Sequence, residues 1–106
     1  MSHSALQKLE VTIGNTVNLS VTSDLEPIGV TADVVDVNLT VLHSLPTTYT
    51  GVDGGGLYAA VIELTPTATL EARNKGTLLQ ISWDFGVSTQ TTRVNLVGKL
   101  ETGVAA

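Results

Sequence analysis

The side chains best suited to acid–base or metal chemistry are scarce and scattered along this chain. His3 and His43 are the only histidines, and neither has a second imidazole or a carboxylate at the spacing that a metal site or a catalytic pair requires. There is no cysteine, so disulfides and thiolate metal sites are excluded. We therefore expect neither a metal centre nor a cofactor at the histidines.

The carboxylates offer one set of oxygen ligands that could hold Ca²⁺ if loops brought them to one end of a domain. The members of this set are Asp24, Glu26, Asp33, Asp36 and Asp53. None of them lies in a recognised calcium-loop signature, and solvated loop carboxylates that blunt strand edges are the interpretation we favour. Calcium binding stays open as an alternative.

Motifs for nucleophilic or phosphate chemistry are also missing. The glycine run at 53–56 is followed by neither a Lys-Ser/Thr pair nor a helical pattern, so it predicts a hairpin turn and not a phosphate cradle. Serine is abundant, but there is no Gly-x-Ser-x-Gly elbow and no histidine-plus-acid set to activate a hydroxyl. We predict that the chain is not an enzyme.

The charge and the apolar content of the chain narrow the classes of partner that it can bind. The formal charge is −5, from 10 acidic and 5 basic residues, which argues against binding to nucleic-acid phosphates. No stretch approaches the roughly 20 apolar residues of a membrane helix, and we expect no signal peptide, because no basic segment precedes an apolar run near the start. Charged residues form only 14% of the chain, against about 25% in typical domains, which suggests that neighbours cover part of the surface.

The element that must organise this chain is the segment from Leu79 to Phe85. Its apolar residues recur at every second position with polar residues between them, which predicts a strand with one face on a core. Trp83 is the only tryptophan and is the expected centre of that core. Ile81, Phe85 and Tyr58 are the other expected core anchors.

Similar patterns predict about seven short strands, near residues 9–13, 17–21, 35–41, 46–51, 57–64, 79–85 and 90–100. Gly14-Asn15 predicts either a hairpin or a turn that splits the first strand. The segment 67–74 predicts one turn of helix at most. The result is a single all-β domain, an antiparallel two-sheet β-sandwich at 9–100 with an N-terminal arm (1–8) and a C-terminal tail (101–106). A closed barrel is the open alternative.

Four segments together resemble a small immunoglobulin-like module common among structural proteins of tailed phages. They are a glycine turn with a Thr/Val strand at 14–22, a second Val/Thr strand at 37–41, a Gly-x-Tyr element at 56–60, and a glycine followed by alternating apolar residues that end in Trp83 at 76–83. The resemblance spans about residues 9 to 97. It implies an immunoglobulin-like β-sandwich without catalytic residues.

The resemblance also implies a function: a non-enzymatic component of the virion, assembled in the host cytoplasm, as a decoration, neck, tail or fibre protein. We favour capsid decoration over a neck or tail position, because a small single domain needs no further machinery for that role. Its partners would be other virion structural proteins and further copies of itself, with no nucleic acid and no membrane. Leu6 in the arm and Val104 in the tail are the residues we expect to contact neighbouring subunits. The alternative is a β-sandwich module whose loops bind carbohydrate or calcium.

Overall fold

The computed structural model describes residues 8–73 and 76–99. They form eight strands and one short helix. In chain order these are β1 (Lys8–Thr12), β2 (Val17–Ser23), β3 (Gly29–Val35), β4 (Val41–Leu45), β5 (Thr47–Val52), β6 (Tyr58–Leu64), α1 (Pro66–Glu71), β7 (Leu78–Asp84) and β8 (Thr89–Lys99).

The strands form two sheets, which confirms the predicted all-β sandwich. One sheet has five strands in the order β1-β8-β7-β3-β4, and the other has three in the order β2-β6-β5. Every pairing is antiparallel except that of β1 with β8. The division into β3-β7-β8 and β2-β6-β5 is the strand arrangement of immunoglobulin-like sandwiches. The sheets are separate, so the closed-barrel alternative is wrong.

The core lies between the facing sides of the two sheets. Alternation along β7 sends Leu79, Ile81 and Trp83 inward, where each is at most 5% exposed. Ile62 and Leu64 of β6 meet them from the opposite sheet and are fully buried. Burying such a side chain contributes about 1.5–3 kcal/mol, so these two central strands supply much of the stability.

The strand predicted at 35–41 is wrong, because the chain turns there. The Asp36 carboxylate accepts hydrogen bonds from the backbone N–H groups of Asn38 and Thr40, each at 2.9 Å, and Leu39 has a left-handed backbone with φ of 66°. An aspartate that bonds the backbone two residues ahead competes with strand pairing. The alternation of Val35, Val37, Leu39 and Val41 is therefore misleading, and the strand runs instead over Gly29–Val35.

The turn at Gly14-Asn15 does not close a hairpin, so that alternative is wrong. β1 pairs with β8 of the five-stranded sheet and β2 pairs with β6 of the other, so the chain changes sheets at this turn. The predicted edge strand after Pro46 is confirmed as β5, which lies at the edge of the three-stranded sheet.

The helical turn predicted within 67–74 is confirmed as α1. Thr65 caps it by accepting a hydrogen bond from the Ala68 N–H at 3.3 Å, and Pro66 occupies the first turn, where its missing N–H costs nothing. The buried hydroxyl of Thr69 accepts a hydrogen bond from the Gly14 N–H at 3.1 Å and lies 3.1 Å from the Asn15 carbonyl oxygen. This hydroxyl ties the helix to the turn where the chain changes sheets.

Candidate functional site

Three loops meet at one end of the sandwich. The pairings Ser23↔Tyr58 and Gly29↔Asp84 place the ends of β2 and β7 beside the starts of β6 and β3. Loops 24–28, 53–57 and 85–88 therefore leave the sheets at the same end. Loops on a rigid scaffold are the usual place for binding residues, so this end of the sandwich is the candidate binding surface.

Large aliphatic side chains stand exposed on and beside these loops. Val87 is 98% exposed, Ile28 75% and Leu25 59%, and Val52 and Leu57 are exposed next to them. We call these five residues the loop-end surface. Single exposed aliphatic residues are ordinary on a protein surface, but five on adjoining loops make this end a candidate interaction site.

Side-chain hydrogen bonds hold the loops in shape. The Asp53 carboxylate accepts from the N–H groups of Gly55 at 2.8 Å and Leu57 at 3.0 Å. The Asp84 carboxylate accepts from the Gly86 N–H at 2.8 Å. Such turns reduce the conformational entropy that binding would otherwise remove, so the loops present their aliphatic side chains in a preorganised form.

Two of the loops also touch each other. Gly86 has a left-handed φ of 88°, and a Cβ built on it would lie 2.7 Å from Cδ1 of Ile28. The backbone N–H of Ile28 donates to the Asp84 carbonyl oxygen at 2.7 Å. Ile28 therefore lies across the glycine of the neighbouring loop and joins the two loops into one surface.

The charge at this end has one sign. Loops 24–28 and 53–57 carry three carboxylates, Asp24, Glu26 and Asp53, and Asp84 lies just before loop 85–88. These loops contain no lysine or arginine. The pKa of Tyr49 is raised above its ordinary value. Partial burial is the largest cause, followed by the Glu26 carboxylate and the phenol of Tyr58. The loop-end surface is thus apolar with an acidic surround.

The structure does not bring the proposed calcium ligands together. Asp24, Glu26 and Asp53 belong to the loop end, Asp33 lies within β3, and Asp36 holds the turn at the opposite end of that strand. Within residues 8–73 and 76–99, no group of three His, Asp or Glu side chains is placed to hold a metal ion. The five-carboxylate grouping is therefore wrong.

The expected core anchors occupy different depths. Trp83 and Ile81 are buried in the central cluster, and Phe85, just past the end of β7, is half-buried against it. Tyr58 is half-buried at the start of β6. The expected subunit contacts Leu6 and Val104 lie outside the described residues.

His43 has a partner that spacing along the sequence could not reveal. Its Nε2 lies 3.3 Å from Oε1 of Glu71, and both side chains are about one-third exposed. The two residues are 28 positions apart, and the packing of α1 beside β4 brings them together. A side-chain contact this exposed contributes little to stability.

Sequence reasoning missed the loop-end surface, although a signal was present. Leu25, Ile28 and Val87 sit in segments rich in Asp, Pro, Gly and Ser that predict loops, where a large aliphatic side chain has no core to enter. A second exposed group, Val37, Leu39 and Leu70, lies toward the opposite end.

The described helix has six residues, and no helix in the described part of the chain is long and apolar enough to cross a membrane. A scan against protein-family models and searches of curated proteins and of solved structures find no significant match to this chain.

Proposed function

We propose that this chain is a non-enzymatic structural component of a tailed-phage virion, with capsid decoration favoured over a neck or tail position. It docks on neighbouring subunits through the loop-end surface. The observation that carries this proposal is the exposure of Leu25, Ile28 and Val87 on loops that are already fixed by hydrogen bonds. The virion setting rests on the resemblance of segments 14–22, 56–60 and 76–83 to phage structural modules. Segment 37–41 does not support it, because the resemblance matches it as a strand and it forms a turn in the structure.

The size of the surface suits repeated, shallow contacts. Complete burial of one large aliphatic side chain contributes about 1.5–3 kcal/mol, whereas association costs about 4–15 kcal/mol in lost freedom. The five residues of the loop-end surface therefore support weak to moderate binding per copy. A lattice that offers many equivalent sites suits a module of this strength, and low charge over the rest of the chain leaves room for further contacts.

Binding to particles tests the proposal. Particles of the encoding phage, assembled without this protein, are mixed with purified wild-type chain and sedimented, and the bound copies are counted. The test variant is Ile28→Ser/Val87→Ser, since both side chains are exposed and their loss spares the core. Leu70→Ser, at the opposite end, is the matched control.

We expect the double variant to bind about tenfold or more weakly, a loss that corresponds to about 1.4 kcal/mol, and the control to bind as wild type does. Equal binding of all three proteins would show that the loop-end surface is not the docking face. No binding of the wild-type chain to any particle would contradict the virion function itself.

A further inference from the structure

Two cavities lie side by side along one flank of the sandwich, between the edge strand β2 and strand β8. The larger has a volume of about 250 Å³, with Leu19 and Val21 of β2 and Ile81 of β7 among its lining residues. The smaller has a volume of about 180 Å³ and is lined by Asp24 and Trp83, among others. Thr92 lines both, so they form one groove, which we call the edge groove.

Unpaired strand edges border the edge groove on both sides. β2 pairs with β6 on one side only. β8 pairs with β1 only from Asn95 to Lys99. Among the described residues, the outer edges of Val17–Ser23 and Thr89–Val94 thus have no strand beside them. Exposed edges of this kind accept an extended peptide as an additional strand, whose backbone hydrogen bonds supply affinity.

The lining of the groove fixes the side-chain pattern that such a strand needs. Leu19 and Val21 lie two residues apart on β2, as do Leu79 and Ile81 on the floor, so the apolar contacts repeat with the period of a strand. The span from Gln90 to Val94 is about 13 Å, enough for about five extended residues. A segment with apolar side chains at alternate positions matches this lining.

Pairing geometry and charge together define the ends of this strand. Antiparallel pairing is slightly more stable per residue than parallel pairing, and Asp24 lines the groove where β2 ends. Lys8 lines the groove as well, but its ammonium already lies 3.9 Å from the Glu10 carboxylate. A strand that runs antiparallel to β2 brings its N-terminal end to Asp24, where a lysine or arginine finds a carboxylate.

We propose that the edge groove binds an extended segment of another polypeptide, which adds antiparallel to β2 with apolar side chains at alternate positions and a basic residue at its N-terminal end. The edge groove shares none of the five residues of the loop-end surface, although Asp24 at its mouth adjoins Leu25. The inference stands whether or not the proposed virion function holds.

The single tryptophan supplies the readout, because Trp83 lines the groove. The probe is a synthetic seven-residue peptide that begins with lysine and then alternates valine and threonine, titrated into the full chain while tryptophan emission and amide exchange of β2 are recorded. One control peptide carries N-methyl groups on its backbone amides and cannot extend a sheet. A second begins with glutamate in place of lysine.

The matched protein variants are Thr92→Arg, which fills the groove, and Thr91→Arg. Thr91 faces the other side of the same strand, where its hydroxyl lies 3.3 Å from that of Ser82. Both positions are exposed, so both variants retain the fold. We expect saturable emission changes and slowed exchange in β2 with the first peptide. The Thr92→Arg chain should bind the first peptide at least about tenfold more weakly than wild type does, and the wild-type chain should bind each control peptide at least about tenfold more weakly than the first peptide. The Thr91→Arg chain should bind the first peptide within about twofold of wild type.

The proposal is overturned if the peptide causes no response, if Thr92→Arg binds it as tightly as wild type does, or if the N-methylated peptide binds as tightly as the unmethylated one. A chain that lacks residues 2–7 is titrated in parallel. Binding that appears only in this shortened chain would show that the groove serves the chain's own N-terminal segment, which also contradicts a site for another polypeptide.

Discussion

Among the glycines that the structure describes, Gly98 of β8 is the one where an added Cβ would meet backbone atoms of another element, and this contact yields a sharp stability prediction. A Cβ on this residue would lie 2.9 Å from the carbonyl carbon of Ala72 and 2.9 Å from Cγ1 of Ile13. Favourable carbon–carbon contacts are about 3.5–4.0 Å, so Gly98→Ala must push the end of α1 outward by more than about half an ångström. The Gly98 N–H also donates to the Ala72 carbonyl oxygen at 2.9 Å.

The change in the free energy of unfolding of Gly98→Ala is the sum of opposing effects. Overpacking costs about 1–3 kcal/mol, and weakening the hydrogen bond to Ala72 costs up to about 1.5 kcal/mol. Alanine also lowers the conformational entropy of the variant's unfolded chain, which offsets about 0.4–1 kcal/mol of this loss of stability. We expect Gly98→Ala to lower the free energy of unfolding by about 1–3 kcal/mol, which in a domain of this size lowers Tm by roughly 5–20 °C.

Gly29→Ala is the matched control, since Gly29 also lies in a strand of the same sheet, but a Cβ there meets nothing within 4 Å. Thermal unfolding followed by circular dichroism should place this variant within a few degrees of wild type. If Gly98→Ala unfolds at the wild-type temperature, or if both variants fall equally, the packing of α1 against β8 is not as described.

Three further substitutions test the core, a buried hydroxyl and the acidic loop end. Trp83→Ala should cost about 3–5 kcal/mol in urea unfolding, because it empties a large buried site; a loss under about 1 kcal/mol would remove Trp83 from the core. Thr69→Val should cost about 0.5–1.5 kcal/mol, because it removes the hydrogen bond that the Gly14 N–H donates to the Thr69 hydroxyl, whereas Thr69→Ser keeps that bond; equal losses would refute this role. Glu26→Gln should lower the raised pKa of Tyr49 in an NMR titration, because a negative neighbour disfavours the phenolate; an unchanged pKa would show that Glu26 does not act on it.

The sequence allowed prediction of the elements whose patterns are local. Strand alternation around Trp83 and the turn at 53–56 depend on side chains within a few residues of one another, and both are present in the structure. The same rule failed at 35–41, because the hydrogen bonds of Asp36 close a turn there and Val35 pairs back onto Val41. Local pattern alone does not decide between a strand and a turn at such a place.

Features that depend on the packing of distant segments could not be predicted. Pairing of His43 with Glu71 needs α1 to lie against β4, and the parallel pairing of β1 with β8 joins the two ends of the described chain. The loop-end surface depends on three turns that are far apart in the sequence. Only the register of the sheets shows that Leu25 and Val87 share one end.

The most direct test of the proposed function is a hydrogen-exchange footprint of the chain, free in solution and bound to phage particles. Amides of 24–28 and 85–88 should exchange at least about tenfold more slowly on the particle, because docking excludes water from these loops. Exchange at the 36–40 turn, at the opposite end of β3, should be unchanged. Protection at that turn with no change at 24–28 and 85–88 would contradict docking through the loop-end surface.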